Sequence, residues 1–431
     1  MSLLDSAEAV VLLEDAKVPV EIVNALRPDL AKFLLRYLPL FYRDEQRELA
    51  AVVVEGKLSD LQRKTSEPIA YQAGRERKPV QHFVGAGKWD DEAVLAEFQR
   101  HVGEELADAD GVLVCDGSAF PKKGSESCGV DRQWCGRLGK VDNCQVGVFL
   151  AYVGRRGRAP LDRRLYLPKD WANDAGRRQK CHVPEEVVFQ EKWRIALEQI
   201  KRCRHLAHGW VAGDDEFGRV TEFRRELKRR RELYVLDVPA NTLIRELELV
   251  DGRKPPFEQV SQWAARQPSS RWRKERVRNG EKGEMVVWAL TAVVQTKDEN
   301  GRVGGAERVL VIRPVDQQGD ASFALSNALS AITLEKLVHV KGQRHGVEQV
   351  FQEGKGEVGL DHYEVRSWVG WHHHMTLSML ALWYLSLERR VWGEKGAGPD
   401  RATNTFRNES APGTQPHSGR NRRNHQQSGA A

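Results

Sequence analysis

Gly111-Val112-Leu113-Val114-Cys115-Asp116 is an apolar run that ends on a carboxylate, and short runs of this kind read as buried strands. Trp210-Val211-Ala212-Gly213-Asp214 repeats the arrangement further along the chain. Gln145–Val153, Arg164–Leu167 and Leu233–Val238 are three more strand candidates, and helical patterns from about Glu185 to His208 and Thr221 to Arg231 separate the later ones. Strands alternating with helices point to an α/β sheet whose first three strands form a meander. Asp116 is expected where its strand emerges into a polar turn, and Asp214 likewise. Two carboxylates would then end two neighbouring strands, where α/β sheets commonly carry their sites. For one isolated strand-ending Asp, a helix cap or solvated turn is the competing reading.

Outward from this centre, residues 1–100 read as a helical region. Its apolar clusters are Val18–Leu26, Leu30–Leu38 and Leu49–Val54, and a helix start follows at Lys88-Trp89-Asp90-Asp91. The first part of the core spans 101–246. Near Leu247, Gly, Pro, Trp and Arg crowd together, and the runs Met285–Val294 and Arg308–Arg313 flank the turn signal Asp298-Glu299-Asn300-Gly301. A β-rich insertion is therefore expected over 247–315. Helix returns from about Thr333 to Lys355 and from Arg366 to Arg390, giving a second core part over 316–392. In 393–431, Gly, Ser, Asn, Gln, Pro and Arg dominate, so a disordered basic tail is expected.

The composition bounds the alternatives. With 431 residues, 40% hydrophobic and 30% charged, the chain is long enough for roughly two or three domains and apolar enough to fold. A net charge of +6 is too small to prove a polyanionic partner by itself. The longest apolar stretch, Met375–Leu387, is interrupted by Thr376, Ser378 and Ser386 and falls short of the roughly 18 residues a membrane span needs. The N-terminus carries acidic residues where a secretory signal has basic ones, and a cytoplasmic location is expected. Cys115, Cys128, Cys135, Cys144, Cys181 and Cys203 contain no Cys-x2-Cys pair and read as reduced, buried thiols.

A third acidic candidate lies in Arg344-His345-Gly346-Val347-Glu348-Gln349-Val350-Phe351-Gln352-Glu353-Gly354-Lys355. Helical spacing puts Arg344, Glu348 and Lys355 on one face, with Val347, Val350 and Phe351 on the apolar side. A surface ladder of ion pairs would have the same spacing.

These blocks resemble the DDE transposases of bacterial insertion sequences, particularly the insertion sequence 701 group. The longest match runs from Asp116-Gly117-Ser118-Ala119-Phe120-Pro121-Lys122-Lys123-Gly124 through Gly129-Val130-Asp131-Arg132-Gln133-Trp134-Cys135-Gly136 to Asn143-Cys144-Gln145. Val211-Ala212-Gly213-Asp214-Asp215-Glu216-Phe217-Gly218 is similar to the turn carrying the family's second aspartate, in a register that selects Asp214. Arg344, Glu348 and Lys355 fit the Tyr-x2-Arg-x3-Glu-x6-Lys signature, although Lys341 stands at the Tyr position. The likeness runs from about Ser59 to Leu387.

The resemblance implies a ribonuclease-H-like, retroviral-integrase-like core, interrupted by a β-rich insertion and preceded by a helical region that helps bind DNA ends. It implies Asp116, Asp214 and Glu348 as catalytic metal ligands for two Mg²⁺ ions, with Mn²⁺ as a substitute, and Arg344 and Lys355 as phosphate contacts. Its partners would be double-stranded DNA, as element ends and target, and a second copy of the chain in a synaptic homodimer beside the nucleoid. The implied reaction is cleavage at terminal inverted repeats followed by strand transfer. A DNA-binding derivative without catalysis and a nuclease without strand transfer are the alternatives.

Further basic residues are candidate DNA contacts. Lys122 and Lys123 follow Asp116, where a salt-bridged turn competes with DNA binding. Arg271, Arg273 and Lys274 surround Trp272 in the insertion, where gripping DNA competes with core packing of Trp263 and Trp272. Arg224, Arg225, Lys228, Arg229, Arg230 and Arg231 form either a phosphate track or a solvated helix face laced with Glu222, Glu226 and Glu232. His372-His373-His374 is read as structural, because consecutive helical residues cannot all face one metal. Asp215, Glu216, Glu353 and Glu357 rank below their neighbours as carboxylate candidates.

Overall fold

The computed structural model describes residues 28–394 apart from 249–252, 281–282, 299 and 316–319. The Val18–Leu26 cluster and the basic tail from 395 lie outside the described residues. After a helical segment at 28–34, four helices follow: α1 (Asp44–Leu58), α2 (Ser66–Gln72), α3 (Arg77–Gly85) and α4 (Asp91–Leu106). The helix start expected at Trp89-Asp90-Asp91 is present, with the Asp90 carboxylate accepting from the Glu92 and Ala93 amides at the α4 N-terminus.

The strands then begin: β1 (Val112–Pro121), β2 (Asp131–Cys135), β3 (Lys140–Gly154) and β4 (Gly157–Leu165). Short helices α5 (Lys169–Asn173) and α6 (Ala175–Lys180) lead to α7 (Lys192–Arg202). Next come β5 (Trp210–Gly213), α8 (Asp215–Gly218), α9 (Thr221–Arg229), β6 (Tyr234–Val238), β7 (Leu243–Glu246), β8 (Glu258–Gln259) and α10 (Val260–Ala265). The chain continues through β9 (Arg273–Gly280), β10 (Gly283–Lys297), β11 (Val303–Pro314), β12 (Ser322–Ser326), α11 (Leu334–Gln343), α12 (His345–Gly356) and α13 (Trp368–Glu394).

All twelve strands form one mixed sheet in the order β2-β3-β1-β5-β6-β12-β11-β10-β7-β8, with β4 on β3 and β9 on β10. β1 and β4 run antiparallel to β3, whereas β5 and β6 run parallel to β1. The strands of the 247–315 region are not a separate layer: β12 joins β11 on one side and β6 on the other, so they extend the same sheet. The turn expected at 298–301 closes the β10–β11 hairpin through Gly301 N–H to the Asp298 carbonyl at 3.0 Å, with Gly301 at φ +76°.

Alternation along β1 divides the core. Leu113 and Cys115 pack with the N-terminal helices, α7, α9 and α13 on one face, and Val112 and Val114 pack with α11 and α12 on the other. The second face is the one on which the carboxylates converge. Among the described residues, no helix is long and apolar enough to cross a membrane, and all six cysteines are free and buried.

Candidate active site

Parallel pairing brings two carboxylates side by side. Cys115 of β1 is in register with Gly213 of β5, and Gly213 with Leu236 of β6. The next residues, Asp116, Asp214 and Asp237, therefore form a row across three adjacent strands roughly 5 Å apart. Each shares parity with the apolar residue two positions before it, Val114, Ala212 and Val235. Those three pack on the α11–α12 face, so the row is directed toward the helix carrying Glu348.

Asp116 corrects one sequence expectation. Its strand does not end there but continues to Pro121, antiparallel to β3; only the pairing with β5 stops at Cys115. The carboxylate thus projects from a rigid, continuously paired strand at the point where its parallel neighbour turns away. At that turn the Asp214 side chain caps α8 by accepting from the Glu216 amide at 3.1 Å.

The electrostatics are those of acidic groups crowded out of water. Burial, then the neighbouring Asp214 carboxylate, push Asp116 up to about 7, against opposing effects of Arg344 and the Gly117 amide. Asp214 is pushed up to about 6 by burial and by Glu216 and Asp215, with Arg344 again opposing. Glu216 is itself paired with Lys192 at 2.5 Å.

Arg344 is the cation at the centre. It occupies the single residue between α11 and α12, where it reaches Asp237 at 3.2 Å and Glu348 at 3.0 Å. Burial alone would lower its pKa, but Asp237, Glu348, Asp116 and Asp214 together raise it. Glu348 is also held by His345 Nδ1 at 3.0 Å. The expected unbroken helix over 333–355 is in fact two helices hinged at this arginine.

Asp237 escaped the sequence reading. Val238 continues the apolar strand beyond it, so no strand end marks it; the signal was a charged residue inside Tyr234-Val235-Leu236-Asp237-Val238. Lys341, at the position where the signature has Tyr, pairs with Asp237. Its ammonium and Arg344 share that carboxylate.

Other site candidates fall in different places. Lys355 of α12 lies 5.5 Å from the Phe120 ring centre and 5.7 Å from that of Phe351. Burial lowers its pKa, with Asp361 and Asp116 opposing. The Lys122 ammonium sits 3.4 Å over the Tyr363 ring, and burial brings its pKa down to about 8. Lys123, Arg273 and Lys274 are exposed. Arg271 is engaged within the protein, with Glu246 at 2.7 Å and Gln267 at 2.6 Å.

Trp263 and Trp272 are buried in the core formed with β10 and β11, which favours packing over base stacking for both. Arg224 is no phosphate contact, because it is buried and bound to Glu307 at 2.8 Å. Arg229 and Arg230 pair with Glu226 on the same helix. The three histidines are buried, each ring bonded to a different backbone carbonyl, those of Trp368, Trp89 and Leu360. Glu353 is taken up by Arg158 and Arg389, and Asp215 by Arg219.

The donor chemistry suits a hard divalent cation, since the row offers only carboxylate oxygens and burial, then neighbouring carboxylates, push two of the carboxyl groups up. Among the described residues, no group of three or more His, Cys, Asp or Glu side chains is already gathered to hold an ion. Glu348 is instead taken up by Arg344 and His345, so completing a three-carboxylate shell requires it to turn from Arg344 toward Asp116.

Comparison with known proteins identifies the family of the chain. Residues 36–284 match the family described as DDE superfamily endonuclease. The chain is also 24% identical over 330 residues to a protein of Microchaete diplosiphon named "Probable transposase for insertion sequence element IS701", with 73% of this chain and 77% of that protein covered.

Proposed function

Because the chain belongs to the DDE superfamily endonucleases, we propose that it is the transposase of an insertion sequence, cutting DNA at the element's terminal inverted repeats and joining the freed ends to a target. The observation that carries this reading is the pair Asp116 and Asp214, one residue beyond matched positions of adjacent parallel strands and directed toward the helix that bears Glu348. The strand order β4-β3-β1-β5-β6, three antiparallel strands followed by two parallel ones, supports a ribonuclease-H-like core split by the segment 247–315. The helices before β1 and the core parts over 101–246 and 316–392 are the remaining units of this reading.

Members of this superfamily generally use divalent metal ions, and here Asp116, Asp214 and Glu348 would hold Mg²⁺ or Mn²⁺. When bound, such ions lower the pKa of an attacking hydroxyl and stabilise charge on the phosphate and the leaving oxygen. The chain's own groups do the rest. Asp116 on a paired strand and Asp214 at the cap of α8 fix the donor positions. Arg344, once Glu348 turns away, is free to donate to a phosphate oxygen, a task suited to the guanidinium fork. Lys355 and Lys122, partly desolvated beside aromatic rings, supply point charges for the flanking backbone.

In the first step water attacks the phosphorus at an element end. The P–O3′ bond to that end breaks, leaving a 3′-hydroxyl and a 5′-phosphate. In the second step the 3′-hydroxyl attacks a target phosphodiester, forming one P–O bond as another breaks and needing no covalent protein intermediate. A second copy of the chain would hold the other end in a synaptic dimer on chromosomal DNA.

The test uses purified protein, Mg²⁺ or Mn²⁺ and DNA carrying candidate ends, with Asp116→Asn as control. Joined products support transposition, cuts without joining would reduce the protein to a nuclease, and retention without cutting would remove catalysis from the proposal.

A further inference from the structure

Away from the carboxylates, the packing of α1 and α2 against the segment after α12 leaves a cavity of about 270 Å³. Lys57, Lys64, Thr65, Gln81, His362 and His374 are among its lining residues. Lys57 is 1% exposed and Lys64 7%, a rare placement for lysine, which is almost never fully buried unless paired. Among the described residues, neither forms a salt bridge with a carboxylate.

Lys64 has another employment, donating to the carbonyls of Lys57 and Ser59 at the C-terminal end of α1. Lys57 has none of this kind. Among the described residues, its ammonium has one hydrogen bond, to Nδ1 of His374 at 3.4 Å. The Nε2 of that ring faces the Leu360 carbonyl at 3.1 Å and must carry the ring proton, so Nδ1 is an acceptor. One acceptor leaves most of the ammonium's donor capacity directed at the cavity.

The titratable groups facing Lys57 are the Lys64 ammonium from the loop after α1 and the imidazoles of His374 from α13 and His362 from the segment after α12, both of which burial pushes toward the neutral form. Glu357 and Asp60 act on Lys64, and Glu364 at the rim is paired with Arg63. The positive charge of the inner wall is therefore that of the two lysines, and the acidic groups stand behind it or at its rim.

We propose that this cavity is an anion site that binds a single phosphate group, with Lys57 as its principal ligand and the Thr65 hydroxyl and Lys64 beside it. A desolvated ammonium such as that of Lys57, with no carboxylate paired to it among the described residues, is stabilised by a dianion small enough to enter, and the cavity lies just below the range that holds drug-sized ligands. The phosphate comes either from a DNA strand end or from a free nucleotide. The site touches none of Asp116, Asp214 or Glu348, so it stands or falls separately from the catalytic reading.

Burial lowers Lys57 to about 7 and Lys64 to about 8, so anion binding draws a proton onto Lys57 and weakens as the pH rises. The test is thermal unfolding of the full chain in sulfate, whose charge is constant over this range, against chloride at matched ionic strength. The expected result is a higher melting temperature in sulfate, and an apparent affinity roughly 25-fold weaker at pH 8.5 than at pH 6.5 as the protonated fraction of Lys57 falls. Lys57→Met, which keeps the volume, should abolish the sulfate response while its far-ultraviolet circular dichroism stays that of wild type. If that variant fails to fold, the wild-type pH dependence still decides the matter.

A 5′-phosphorylated oligonucleotide outcompeting its 5′-hydroxyl counterpart identifies a strand end as the source, and a mononucleotide outcompeting both identifies a free nucleotide. Equal responses to sulfate and chloride, a pH-independent sulfate affinity, or an undiminished response in Lys57→Met would overturn the proposal.

Discussion

Asp116→Asn should stabilise the metal-free protein at pH 8 while removing its response to divalent cations. The carboxyl rises from an ordinary 3.8 to about 7 in the fold, so it takes up a proton more readily folded than unfolded. Folding is then favoured at low pH, penalised progressively as the pH rises from about 4 to 7, and bears the full penalty above 7. At about 1.4 kcal/mol for each tenfold change the upper limit is ~4 kcal/mol. Asp116 is only partly buried and shares its field with Asp214, which reduces the expected gain to on the order of 1–2 kcal/mol. Asparagine keeps the acceptor for the Gly117 amide, held at 2.7 Å, and offers Asp214 an N–H.

The assay is chemical denaturation of both proteins at pH 5 and pH 8 in chelator, repeated with Mg²⁺. The variant should be the more stable at pH 8 and closer to wild type at pH 5, and Mg²⁺ should stabilise only wild type. A variant less stable than wild type at pH 8, or one that gains as much from Mg²⁺, would refute the reasoning.

Other consequences are more local. Glu348→Gln and Arg344→Ala should each lower cleavage by on the order of a hundredfold, and gel retention of end DNA by Glu348→Gln should stay near wild type. Gly218→Ala would place a Cβ 1.8 Å from the Asp237 carbonyl oxygen, forcing α8 off β6; a loss of about 1–3 kcal/mol in denaturant titration is expected, with cleavage impaired because α8 starts at Asp214. Arg163 is 1% exposed and joins β4 to α4 through Asp91 and Glu92, and to α13 through Thr376. Arg163→Ala should cost about 3 kcal/mol by the same titration, since it empties a fully buried site and leaves the half-buried Asp91 uncompensated, whereas the exposed Glu92 keeps Arg202.

The sequence revealed most where local pattern and chemistry coincide. Val112–Cys115 and Trp210–Gly213 are short apolar runs followed by Asp, and their strand character follows from local pattern alone. What a one-dimensional reading could not supply was pairing between distant segments. β1 continues past Asp116 because β3 pairs with it as far as Pro121, and nothing local in Gly117–Pro121 announces that.

β2 escaped notice because Asp131-Arg132-Gln133-Trp134-Cys135 is mostly polar and becomes a strand only against Lys140–Cys144. β4 was placed too late in the chain because Pro160 argues against a strand; it is tolerated opposite Ala151, next to a register irregularity. The helix expected from Glu185 is shorter, Lys192–Arg202. Basic residues were the least legible: Arg224 and Arg271 look like phosphate contacts until Glu307 and Glu246, far away in sequence, are found against them.

The most direct test of the catalytic account is anomalous scattering from Mn²⁺ in crystals of the protein bound to end DNA. The account predicts manganese ligated by Asp116 and Asp214, with Glu348 turned from Arg344 into the same shell. Manganese bound elsewhere, or a Glu348 still paired with Arg344 while the DNA is engaged, would contradict it.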